Sequence, residues 1–244
     1  MRRIQIAVAV LGLALGACAP ADSEEGTDET RAVAPPPTTV EAPPPGTSLV
    51  ARATGPNLTA LDAPDSDVVV ATLSNPIPVG APLVLLVAEQ REGWLHVRLP
   101  VRPNGTTGWV RESEVDLVQV PYKVVVNLAA YQLQLFENDE LVLETAVGLG
   151  RDGEPTPPGT YFVTELLQPP DPNGPYGPYA YGLSGFSDVH FEFGGGPGQI
   201  GLHGTNDPSS IGRPASAGCI RLPNDAINRL VEILPLGTPV EIVA

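Results

Sequence analysis

Two short blocks carry the residue types that nucleophilic acyl chemistry needs. One is Ile200-Gly201-Leu202-His203-Gly204-Thr205, the other Ser216-Ala217-Gly218-Cys219-Ile220-Arg221-Leu222. A thiol of pKa about 8.5 is mostly protonated near neutrality, and an imidazole beside it can take the proton, leaving a thiolate–imidazolium pair. Such a pair attacks carbonyl carbons. Gly204 would let the backbone approach His203, so that a nearby carbonyl accepts the second ring proton and orients the ring. Gly218 would free backbone N–H groups to face a developing oxyanion. On residue types alone, a buried inert Cys219 with a strand-end His203 is an equal alternative, since free cysteine is among the most buried residue types.

For the pair to act, the fifteen residues between His203 and Cys219 must fold back on themselves, and their Asn, Asp, Pro, Ser and Gly content favours turns. The surrounding segment, 121–244, reads as mainly β. Strands are expected at Tyr122–Leu128, Thr160–Leu167, Val189–Phe193, Ile200–Leu202 and Val240–Val243, with a hairpin of Gln132–Phe136 and Leu141–Gly148 around Asn138-Asp139. One helix is expected near the end: Asn224 caps it, and Ile227, Leu230, Val231 and Leu234 share a face before Pro235. The stretch Pro169–Gly185, dense in Pro, Gly and Tyr, reads either as a lid that packs a peptide with Tyr176, Tyr179 and Tyr181 or as a long surface loop. His190 alternates like one face of a strand, and no further ligand spacing accompanies it, so neither a metal nor a cofactor is expected.

Upstream, residues 47–119 offer short β-type runs at Val68–Ala71, Leu83–Ala88, Trp94–Leu99 and Gly108–Val110, separated by turn clusters such as Pro103-Asn104-Gly105. A small β-barrel is expected, and the run Gly93-Trp94-Leu95-His96-Val97 with Gly108-Trp109-Val110 resembles a bacterial Src-homology-3-like domain. Trp94 and Trp109 are either core or a binding face, and His96 is expected to face solvent. No candidate catalytic residue lies between Thr47 and Gln119, so this domain should be dispensable for acylation.

Residues 19–46 are rich in Pro, Ala, Thr and acidic residues and cannot bury enough apolar surface to fold, which reads as an extended linker. Before it, Arg2 and Arg3, the apolar run Ile4–Leu15 and Leu15-Gly16-Ala17-Cys18 read as an export signal over 1–18. Its end resembles a lipobox, which implies lipidation of Cys18 and a membrane-anchored, extracytoplasmic protein facing the cell wall. With Cys18 so used, Cys219 is alone in an oxidising compartment and needs a reason to be there. A net charge of −15 over 244 residues argues against a nucleic-acid partner.

The two blocks together resemble the signature of the L,D-transpeptidase catalytic domain, called YkuD, and the resemblance runs from Tyr122 to Ala244. It includes Thr156-Pro157-Pro158-Gly159 and Asp225. By this resemblance Cys219 is the acylated nucleophile, His203 the base, and Gly218 with Cys219 the backbone of the oxyanion hole. Ser216 and Arg221 would shape and charge the pocket, although Arg221 could instead pair with Asp225. Many members carry a second histidine directly before the Gly-Cys pair, where this chain has Ala217.

The implied reaction is a two-step transfer on peptidoglycan stem peptides, with donor acylation, D-alanine release and cross-linking to an acceptor stem, and with acylation by carbapenem-type β-lactams. A carboxypeptidase using water, or an enzyme anchoring a protein lysine, would use the same acyl-enzyme. A catalytically inert wall-binding lipoprotein is a rival from another class.

Overall fold

Alternating apolar and polar residues along short runs give a mainly β architecture with one short α-helix near the C-terminus. The computed structural model describes residues 44–193 and 195–244. The signal segment 1–18, with Cys18, and linker residues 19–43 lie outside the described residues.

Strands β1 (Ser48–Ala53), β2 (Asn57–Leu61), β3 (Val69–Ser74), β4 (Val84–Arg91), β5 (Trp94–Arg98), β6 (Thr107–Arg111) and β7 (Val115–Val120) form one sheet in the order β3-β2-β6-β5-β4-β1-β7. Strands β1, β2 and β7 add to the four runs expected. Trp94 and Trp109 are both buried, and a guanidinium covers each: Arg111 lies 4.4 Å from the Trp94 ring and Arg91 4.8 Å from that of Trp109. His96 does not simply face solvent. It is half-buried, stacks on Trp109 at 4.7 Å, and brings Nε2 to 2.9 Å from Thr107 Oγ1.

The second sheet begins with the hairpin of β9 (Gln132–Glu137) and β10 (Glu140–Ala146), which follows β8 (Tyr122–Asn127). Asn138 and Asp139 between them have φ of 49° and 65°, the two left-handed residues of a tight hairpin turn whose twist matches the strands. After the short β11 (Leu149–Gly150) come β12 (Gly159–Leu167), β13 (Ala180–Phe186), β14 (Gln199–His203), β15 (Pro214–Ser216), β16 (Ile220–Arg221) and β17 (Pro239–Val243). Eight of these strands order as β10-β9-β8-β17-β12-β13-β14-β16, while β11 and β15 pair separately. Helix α1 (Asn224–Ile233) buries Ile227 and Leu230 in the core formed with Val124, Leu133, Leu183, Leu202 and Ile220.

Three further expectations need correction. Val189–Phe193 is not a strand, because its backbone bonds to a serine hydroxyl and to an arginine from the other sheet rather than to a neighbouring strand. The stretch Pro169–Gly185 is not one long loop, since β13 starts at Ala180 and Tyr181 is a core residue whose hydroxyl donates to the Leu230 and Leu234 carbonyls, each at 3.2 Å. Asn224 does not cap α1 with its side chain; its Oδ1 instead accepts the Thr205 N–H at 2.8 Å and ties the helix start to the loop after β14.

All described residues belong to one compact unit. Phe162 on β12 is fully buried among Leu58, Leu85, Leu95 and Val110 of the first sheet. Val50, Val84 and Val120 pack with Tyr122 and Leu236, so a second apolar seam joins the sheets.

Candidate active site

Strands β14 and β16 run parallel, with Leu202 opposite Ile220 and His203 opposite Arg221. Leu202, Ile220 and Leu222 turn into the core and are fully buried. The alternation that buries them puts Gly201, His203, Cys219 and Arg221 on the other face. Cys219 falls beside Gly201, one strand across and two residues along from His203, a Cα separation of roughly 8 Å from strand spacing and rise. Both residues line a cavity of about 210 Å³.

The intervening residues return the chain as their composition requires. Asp207 caps a 3₁₀ turn at Pro208–Ser210, and β15 then pairs with β11. The last turn before Cys219 is fixed by Ser216, whose Oγ accepts the Gly218 N–H at 3.1 Å and donates to the Cys219 carbonyl at 2.5 Å. Gly218 has φ of +116°, a backbone region that a residue with a Cβ rarely adopts. Its N–H thus serves the turn rather than pointing free into the cavity, which departs from the oxyanion role expected of it.

His203 is buried, and its Nδ1 lies 2.6 Å from the Gly204 carbonyl oxygen. A carbonyl only accepts, so Nδ1 carries the proton and Nε2 is left as the acceptor. Gly204 therefore supplies the orienting carbonyl. Burial pushes the imidazole down to about 4; the Gly204 hydrogen bond works against this, and the Arg221 charge adds to it. Burial also pushes the Cys219 thiol up, opposed by a backbone hydrogen bond from Gly201 and by the Arg221 charge. Both directions favour the neutral forms, thiol and imidazole.

Arg221 lines the cavity, and its buried Nε has no hydrogen-bond partner. Among the described residues no ion pair joins it to Asp225. Tyr176, from the segment considered as a lid, packs edge-on against His203 with ring centroids 4.9 Å apart. Ala217 also lines the cavity, with no imidazole to offer.

Sequence reasoning gave His190 and Glu154 no place here. His190 lines the cavity and brings Nε2 to 2.7 Å from Glu154 Oε1, while Arg151 pairs with the other carboxylate oxygen. Burial raises the Glu154 carboxyl, but the His190 and Arg151 contacts outweigh it and hold the group below its usual range. No local pattern announces this contact, because Glu154 follows a turn and its partner is 36 residues away. Among the described residues no group of three or more His, Cys, Asp and Glu side chains could hold a metal ion.

The family model described as "L,D-transpeptidase catalytic domain" (YkuD) matches residues 121–242. A putative L,D-transpeptidase YkuD of Bacillus licheniformis is 39% identical over 123 residues, which are 50% of this chain and 66% of that protein. The Bacillus subtilis counterpart is 35% identical over 127 residues, 52% of this chain and 69% of the relative. Among solved structures, an L,D-transpeptidase from Mycobacterium smegmatis is 18% identical with a TM-score of 0.42, covering 66% of this chain and 82% of that one. An LD transpeptidase solved in complex with imipenem is 16% identical with a TM-score of 0.43, covering 62% and 90%. The matched half of the chain contains every element that lines up His203 with Cys219, and the chain belongs to the YkuD family of L,D-transpeptidase catalytic domains.

Proposed function

We propose that this protein is an L,D-transpeptidase that remodels peptidoglycan through a thioester on Cys219. The observation that carries the proposal is that His203, at the end of β14, and Cys219, directly before the parallel strand β16, line one cavity, with Nδ1 of His203 committed to Gly204 O and Nε2 left to accept a proton.

The donor is a stem peptide ending in D-alanine. As Cys219 Sγ attacks the carbonyl carbon that joins the third residue to the D-alanine, its proton passes to His203 Nε2. The Cys219 backbone N–H is the nearer candidate for the oxyanion, because Ser216 occupies that of Gly218. The C–N bond breaks, His203 returns the proton to the leaving amine, and D-alanine departs. An amine of a second stem then attacks the thioester, gives its proton to His203, and leaves a cross-link and a free thiol. Water or a protein lysine in place of that amine would give the carboxypeptidase or anchoring reaction.

Arg221, whose buried Nε has no hydrogen-bond partner, places a fixed positive charge on the cavity wall, which suits an anionic stem peptide. The same thiol would open a carbapenem ring. We read the first sheet, 47–119, as a Src-homology-3-like domain preceding the catalytic domain at 121–244. We also read Cys18 as a lipid anchor that holds the protein outside the membrane, on the strength of Leu15-Gly16-Ala17-Cys18.

Incubation with disaccharide–tetrapeptide fragments tests the function. D-Alanine and a dimer cross-linked between third residues should form with the wild type and not with Cys219→Ala. Absence of both products from folded wild type refutes the assignment; D-alanine without dimer makes water the acceptor.

A further inference from the structure

Between β13 and β14 the described residues 187–193 and 195–198 lie outside any strand, yet Ser187, His190, Phe193 and Gly198 line the cavity that holds Cys219. A wall without a strand ladder needs other partners for its carbonyls. Three of them are met by one guanidinium from the first sheet. Arg102 Nη1 donates to Ser187 O at 2.8 Å, and Nη2 donates to His190 O at 2.9 Å and to Pro197 O at 3.1 Å. The same guanidinium lies 4.9 Å from the Phe186 ring and 4.6 Å from that of Phe191.

Two residues on, Asn104 imitates a backbone rung. Its Nδ2 donates to Phe186 O at 2.7 Å and its Oδ1 accepts the Phe186 N–H at 2.9 Å. Gly198 has φ of +71°, and a Cβ there would run into the His190 carbonyl that Arg102 holds. Both clamp residues come from the β5–β6 connection, in the segment expected to be dispensable for acylation.

We propose that Arg102 and Asn104 are positioning residues of the acyl site: from the first sheet they hold the 187–198 wall, with His190 and its Glu154 partner, in register with Cys219 and His203. The first sheet thereby completes the donor cavity instead of only accompanying it. That the cavity receives an acyl donor rests on the proposed function; that Arg102 and Asn104 fix its wall does not. Lysine cannot replace Arg102 fully, because one ammonium cannot span carbonyls that a planar fork reaches together.

The test uses the full chain with Arg102→Ala, Arg102→Lys and Asn104→Ala, and Arg111→Ala as a control elsewhere on the same sheet. Three readouts are compared: the second-order rate of imipenem adduct formation, alkylation of Cys219 by iodoacetamide followed by peptide mapping, and amide hydrogen exchange over 186–198. Arg102→Ala should slow imipenem roughly ten- to hundredfold, the scale expected when a positioning contact is lost. It should leave the small alkylating reagent unaffected, because His203 stands on β14 and Cys219 directly precedes β16, and should speed exchange within 186–198. Arg102→Lys should recover part of the loss, Asn104→Ala should act in the same direction more weakly, and Arg111→Ala should match wild type. An unchanged imipenem rate in Arg102→Ala overturns the proposal, as does a parallel fall in both reactions. If wild type itself forms no imipenem adduct, the proposed function fails and hydrogen exchange alone decides the clamp: unchanged protection refutes it, and faster exchange confined to 186–198 supports it.

Discussion

Lowering the pH should destabilise this protein through His203 in a window that its burial defines. The imidazole is held at about 4 in the folded chain and titrates near 6.5 when unfolded. Between those values the unfolded chain takes up a proton that the folded chain refuses, so stability falls as pH drops from about 6.5 and levels off below about 4. At 1.36 kcal/mol per pH unit the loss amounts to about 3 kcal/mol, a large share of the 5–15 kcal/mol typical of a domain. Urea unfolding of wild type and His203→Gln at several pH values isolates the effect, because the other acids titrate in both proteins and cancel in the difference. The stability difference should shrink by about 3 kcal/mol from pH 7 to pH 4. With His203 as the proposed base, the acid limb of imipenem acylation should likewise lie near 4. A flat stability difference together with an acid limb near 6.5 would refute the reasoning, for the ring would then titrate as an exposed one.

Other perturbations follow from single contacts. Phe162→Ala empties a fully buried site that joins the two sheets, so urea unfolding should show a loss of about 3–5 kcal/mol. Gly218→Ala forces a Cβ onto a residue with φ of +116°; a cost of about 1–3 kcal/mol and a slower acylation should follow, measured by unfolding and by adduct formation. Ser216→Ala frees the Gly218 N–H and the turn before Cys219. It should lower kcat of D-alanine release more than it raises KM, and equal kinetics would mean that the turn holds its shape without the hydroxyl.

Much of the second sheet was legible because its signals are local. The Asn138-Asp139 hairpin, the apolar face of α1 and the alternation around Ile200 and Leu202 all follow from neighbours in sequence. Val189–Phe193 alternates like a strand but has no strand to pair with, because Ser187 Oγ and Arg102 meet its backbone. Strand β13 was hidden in a Pro, Gly and Tyr stretch, where pairing with β12 and β14 overrides weak propensity. At the site, residue types left Cys219 and His203 open between catalysis and core, and the resemblance chose; the parallel register of β14 and β16 supplies the physical reason that both line one cavity. His190 with Glu154, and Arg102 with the cavity wall, are contacts across long sequence separations, and no periodicity marks them.

The most direct measurement is intact-protein mass spectrometry of the folded chain after exposure to imipenem. Wild type should gain the mass of one imipenem molecule, mapped to Cys219, and Cys219→Ala should gain none. A folded wild type that stays unmodified, or an adduct that persists in Cys219→Ala, would contradict Cys219 as the acylated nucleophile.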